Sequence, residues 1–340
     1  MNLHITSLFI VCCLSILNIN LFPQSVDVPV KGYGISLGNS KEFTGLRINF
    51  RDRHVRQING INLTLWKAKE NERAEINGFS LGLIPEAGYL NGIQLGLLGL
   101  STEKMLNGLN LGLIGAGSGD DINGITIGGI GVGSGGAITG ITVGGLGVGS
   151  GTDLNGLNIG GLGVGAGSDL NGVSMAIIGA GAGKDANGFT FGLIGAGAGK
   201  NLIGIGAGGI GAGAGENIIG LVLGGIGAGC GNELRGISIG GIASGAPTIK
   251  GVAIGGFAAG GNAISGAAIA LGWTQVQEDG KLEGFCTGAF NQVKGKLSGF
   301  SLGIVNYARK LNGIQLGIIN YVRDNPKFLK VLPIVNLHFE

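Results

Sequence analysis

Histidine is almost missing from this chain, with three in 340 residues, at His4, His54 and His338. A catalytic centre or metal site built from clustered imidazoles has too little material, and the chain is read as a non-enzyme. Charge is also scarce: 12% of residues carry it and the formal net charge is +2, which removes the basic field that a nucleic-acid partner requires. Cysteine occurs four times, and Cys12 and Cys13 fall inside an N-terminal apolar run, leaving Cys230 and Cys286 for the remainder. Glycine, by contrast, supplies 76 residues, a composition foreign to ordinary enzymes.

The apolar run "LFIVCCLSILNINL" over residues 8–21 is followed by "FPQS". It has the length of a signal-peptide core and is too short for a comfortable bilayer span. It predicts export, with a signal peptide over 1–25.

Internal repeats organise the rest. Anchor glycines fall at Gly45, Gly60, Gly78 and Gly92, then every 16 residues to Gly236, and onward through Gly251, Gly266, Gly284 and Gly299 to Gly313. Counting from each anchor, positions −2 and +1 are apolar throughout, and +3 is apolar everywhere but at Thr287. Position +4 is Gly at fourteen of eighteen anchors, and +6 runs through Ile130, Leu146, Leu162, Ile178, Ile194, Ile210 and Ile226.

Side chains on a strand alternate with period two, so +1 and +3 share one face while +6 and +8 share a face of the other parity. Both pairs point inward only if the chain turns near the +4 glycine. The Asn-Gly step at nine anchors and segments such as "GSGTD" supply two further corners, since Gly and Asn tolerate the positive φ of turns. The expected fold is all-β: a parallel β-solenoid of about 18 coils with roughly 16-residue repeats, its apolar ladders stacked inside at about 4.8 Å per coil. The column at +2, with Asn110, Thr126, Thr142, Asn158, Ser174 and Thr190, is expected outside. The domain reading is an N-terminal cap over 26–44, repeats over 45–323 and a C-terminal cap over 324–340, because open coils expose unpaired edges. A transmembrane β-barrel is the rival, suggested by "VLPIVNLHF" near the C-terminus. Barrel strands should alternate apolar-out with polar-in, whereas the residues past +4 reverse parity and stay apolar.

"NGIQLGLLGL" at residues 91–100, "SGFSLGIVNYARKLNGIQLGIINYVRDN" at 298–325 and the closing "LPIVNLHF" carry a resemblance. They look like the Gly-rich surface-repeat proteins of spirochaetes and other Gram-negative-type bacteria. The resemblance covers most of the chain after its leader and is strongest at the two ends; the central "GAGAG" units depart from it by exchanging large residues for Gly and Ala. It implies an exported protein at the cell surface or outer membrane and brings no catalytic residues.

Nucleotide motifs fail on inspection. "GVGSGG" over 131–136 matches G-x-G-x-x-G through composition alone, and "GAGAGKN" over 195–201 lacks both the first Gly and the final Ser or Thr of a P-loop. G-x-G-x-D recurs, placing Asp153, Asp169 and Asp185 one above another, a candidate calcium site with half of the calcium-solenoid signature; the competing reading is that each Asp caps a solvated turn. Charges from residue 120 to 233 gather at this one corner, leaving the other faces from 122 to 230 uncharged. Such a surface fits lateral packing against another solenoid, a membrane, a cell-envelope component or a host surface molecule. The functional expectation is a structural or adhesive surface protein, with an outer-membrane channel as the alternative. Cys230 and Cys286, four coils apart, are expected to remain unpaired and accessible, because a disulfide needs Cα atoms within about 7 Å.

Overall fold

The computed structural model describes residues 25–339; the expected signal peptide, apart from Ser25, lies outside the described residues, as do Cys12 and Cys13. The chain divides into two compact units between Gly112 and Leu113. Both are built as parallel β-solenoid, with about 17 turns and a spacing of ~16 residues. Parallel pairing sets aside the barrel. Among the described residues no helix is long and apolar enough to cross a membrane.

In the second unit each regular coil holds a long and a short strand, such as Ile138–Gly144 with Gly147–Ser150 and then Leu154–Gly160 with Gly163–Ala166. Equivalent residues stack in register: Ile138 on Leu154, Gly140 on Gly156, Thr142 on Asn158 and Val148 on Val164. The chain turns at +5 and +6, past the expected glycine, and again at the Gly-rich segment before the next coil. The anchor step, expected as a third corner, is no corner. The strand runs straight through it with φ of +128° at Gly140 and +108° at Gly156. A Cβ on Gly140 would overlap the carbonyl oxygen of Gly124 in the coil before, so glycine is required both for its φ and for the close approach of coils.

Because the strand does not fold at the anchor, alternation continues unbroken: −2, 0, +2 and +4 face in, and −1, +1 and +3 face out. Ile122, Ile138, Leu154 and Leu170 at −2 are fully buried, as expected. Val132 and Val148 at +8 are also buried as expected, but the columns at +1, +2, +3 and +6 are the reverse of the expectation. Thr142 and Asn158 at +2 are 1% and 0% exposed, whereas Ile141 at +1 is 42% exposed and Leu146 and Leu162 at +6 are 52% and 45% exposed. Assigning every apolar column to the inside forces a bend at Asn-Gly that the glycine, although left-handed, does not make. The interior is narrow, closed by Ile or Leu at −2, small polar groups at +2 and Val or Ala at +8, among them Val132, Val148 and Ala180.

The last strand of the second unit, Val331–His338, turns back antiparallel onto Val305–Val322 and carries Pro333. Beneath it the interior is bridged by amides: Asn291 Nδ2 donates to Asn306 Oδ1 and Asn306 Nδ2 to Asn320 Oδ1, each at 2.7 Å.

The first unit opens with an antiparallel hairpin, Ser25–Val30 with Tyr33–Gly38, whose second strand lies parallel on Glu42–Arg53. The glycine ladder thus begins at Gly34, one coil before the first sequence anchor, and Pro29 sits in the outermost strand. At +2 in the next coil stands Arg47, which is fully buried. Its guanidinium donates to the Asp52 carboxylate, to Asn62 Oδ1 at 2.6 Å and to Asn39 Oδ1 at 2.9 Å. Asp52 also accepts from Asn49 Nδ2 at 3.0 Å, Asn62 Nδ2 at 3.0 Å and Thr64 Oγ1 at 3.1 Å. Removing one member strands the other charge in a dry interior. Asp52→Leu should cost about 3 kcal/mol in urea unfolding, and the Arg47→Met, Asp52→Leu double variant should recover most of that loss; a double variant as unstable as the single one would show that the network contributes more than pairing of its charges.

Candidate interaction surface

The feature of the second unit that an isolated solenoid does not account for is its exterior. Columns +1, +3 and +6 lie side by side on the long strand and around the adjoining turn, and from Ile125 to Ile242 every member is apolar. Ile127, Ile130, Ile159, Ile178, Ile210 and Ile239 are each between 36% and 52% exposed. At +5 the central coils add Ile177 and Leu193, 58% and 57% exposed. The remaining outer positions differ in kind. The short strands present Gly133, Gly149 and Gly165, around which a Cβ would meet nothing within 4 Å. The opposite turn carries the charges, Asp153, Asp169, Lys184, Asp185, Lys200 and Glu216 among them. Each coil is therefore amphipathic in cross-section, apolar at one turn and charged at the other.

Polar ladders border the strip. At −1, Asn171 Nδ2 donates to Asn155 Oδ1 at 2.9 Å and Asn187 Nδ2 to Asn171 Oδ1 at 2.8 Å. In-register amides of this kind satisfy one another from coil to coil, which is why Asn recurs beside the anchor.

The Asp column is in register as expected, but each carboxylate is taken by the next coil. Asp153 Oδ1 accepts the Asp169 N–H at 3.1 Å, Asp169 Oδ1 the Asp185 N–H at 3.2 Å, and Asp185 Oδ1 the Asn201 N–H at 3.1 Å and its Nδ2 at 2.8 Å. Among the described residues no three His, Cys, Asp or Glu side chains gather as metal ligands. The geometry gives a calcium site at Asp153, Asp169 and Asp185 no support, and the carboxylates serve to hold turns together.

Inside, Thr142 Oγ1, both amide atoms of Asn158 and Ser174 Oγ are buried without a hydrogen-bond partner. Unpaired polar groups cost stability, so polarity at +2 and apolarity at +1 and +3 both run against what water alone would select. The pair of cysteines divides along the same line. Both are free, Cys230 half-buried and Cys286 fully buried at a +2 position. Burial pushes the Cys286 thiol up to about 11 and also raises Cys230. This corrects the expectation that both are accessible. Iodoacetamide at pH 8 should modify Cys230 slowly in the folded protein and Cys286 only after denaturation, because the thiolate is the nucleophile; peptide mapping that finds Cys286 modified first would place +2 outside.

The apolar strip was the feature that sequence reasoning missed, and its signal was present: positions −2 to +4 form one uninterrupted strand period once no turn is imposed at the anchor. No protein-family model matches the chain, nor does any curated protein or solved structure.

Proposed function

We propose that this chain is an exported, non-enzymatic component of the cell envelope, of the Gly-rich surface-repeat kind, with a structural or adhesive role. The observation that carries the reading is the apolar strip, contiguous over eight coils of exposed Ile, Leu and Val, on a scaffold whose polar groups are spent on ladders and turns; contiguous exposed apolar surface of this kind marks an interaction site. A surface of this size and regularity is made to be covered. The channel alternative loses its footing with the barrel, since the strands pair in parallel and the inner positions are filled by side chains.

Fractionation of producing cells, with protease treatment of intact ones, tests the reading. The protein should be recovered with the envelope and be cleaved from outside, whereas full recovery in the soluble cytosolic fraction would exclude it.

A further inference from the structure

We propose that the strip of the second unit is a homodimer interface, in which the +1, +3 and +6 ladders of one copy pack face to face against the same ladders of a second. This rests on the reading of the chain as a surface-structural protein and names the partner.

Size comes first. Eight coils, from the anchor Gly124 to Gly236, give a strip of about 34 Å by about 15 Å at ordinary strand spacing and rise. That is a flat footprint of roughly 500 Å²; eighteen of the twenty-four side chains in the three ladders are 36% to 53% exposed, so the corrugated surface offers more accessible area than its footprint, toward the roughly 800 Å² that each partner buries in a standard interface. Shape comes second. Rungs repeat at coil spacing on both copies, so the side chains of one fit between those of the other, as in the dry packing of paired sheets. A two-fold arrangement uses the same patch on both copies and closes on itself. It also stops at two, because the opposite outer face is glycine and the far turn is charged.

Charge sets the orientation. Between residues 120 and 233 the charged turn carries seven acidic residues, including Asp121 and Glu233, and two basic ones, Lys184 and Lys200. Two copies packed through their strips keep both charged turns in water, away from one another; a membrane surface is the competing occupant, and flotation with vesicles distinguishes the two.

Sedimentation velocity on the full chain at micromolar concentration tests the proposal. The wild type should sediment with twice the chain mass of 33.9 kDa. A Leu146→Lys, Leu162→Lys, Ile178→Lys variant should become monomeric, with dissociation raised at least tenfold and the circular-dichroism spectrum retained. Thr152→Lys, at the charged turn, should leave the dimer intact. If the triple variant fails to fold, Leu162→Gln alone should still raise the dissociation midpoint several-fold. A monomeric wild type, a triple variant that folds and dimerises like the parent, or a wild type that floats as a monomer with phosphatidylcholine vesicles would each overturn the proposal. A monomer found in the envelope fraction removes the dimer and leaves the surface role standing; a dimer recovered from cytosol does the opposite.

Discussion

Thr142→Asp is expected to unfold the coils around it at a cost of about 4 kcal/mol, because it places a carboxylate in an interior that offers no cation to pair with it. Thr142 is 1% exposed, with Ile138 and Val148 of its own coil fully or almost fully buried, and its hydroxyl already lacks a partner. The same change at Leu162, 45% exposed on the outer strip, should cost less than about 1 kcal/mol of fold stability when measured in dilute solution. Urea unfolding followed by circular dichroism ranks the two. Finding the Leu162 variant the weaker by several kcal/mol would restore the opposite assignment of inside and outside.

Two glycines nine residues apart should respond just as differently. Gly140→Ala forces a side chain onto a residue with φ of +128° and drives its Cβ into the Gly124 carbonyl. Backbone strain and overpacking together should cost about 4 kcal/mol or more. Gly149→Ala adds a methyl group where nothing lies within 4 Å and φ is ordinary, so it should be neutral or stabilise by up to about 1 kcal/mol through the unfolded chain. Thermal melts of the two single variants give the comparison, and equal losses would mean that the short strand is packed more tightly than its outward face implies.

The contrast shows how far the sequence could be read. Spacing disclosed the solenoid, because a 16-residue recurrence of Gly124, Gly140 and Gly156 with apolar columns at fixed offsets has few other solutions. The closeness of coils at the anchor was also legible from glycine itself. Facing was not. Hydrophobicity normally marks the interior, and here Thr142 and Asn158 are inside while Ile141 and Leu157 lie on the outward parity. Composition alone points the wrong way when a chain's outer face is meant to be covered, and only the phase relative to −2 retains the information. The Asp column illustrates a second limit. Its register was readable, but the N–H of Asp169 reaching Asp153 depends on the turn between coils, which no spacing specifies.

The register from Gly124 to Gly236 makes contour length a free variable. Coil meets coil through the same set of partners at each step, as Gly140 meets Gly156 and Gly156 meets Gly172. Excising a whole period, for example residues 141–156, joins equivalent backbone positions and leaves both neighbours with the contacts they expect. Recombination between tandem copies in the coding sequence can then lengthen or shorten the protein without a folding penalty beyond the coil lost. Selection on reach would act on the number of coils, while selection on chemistry acts on the columns.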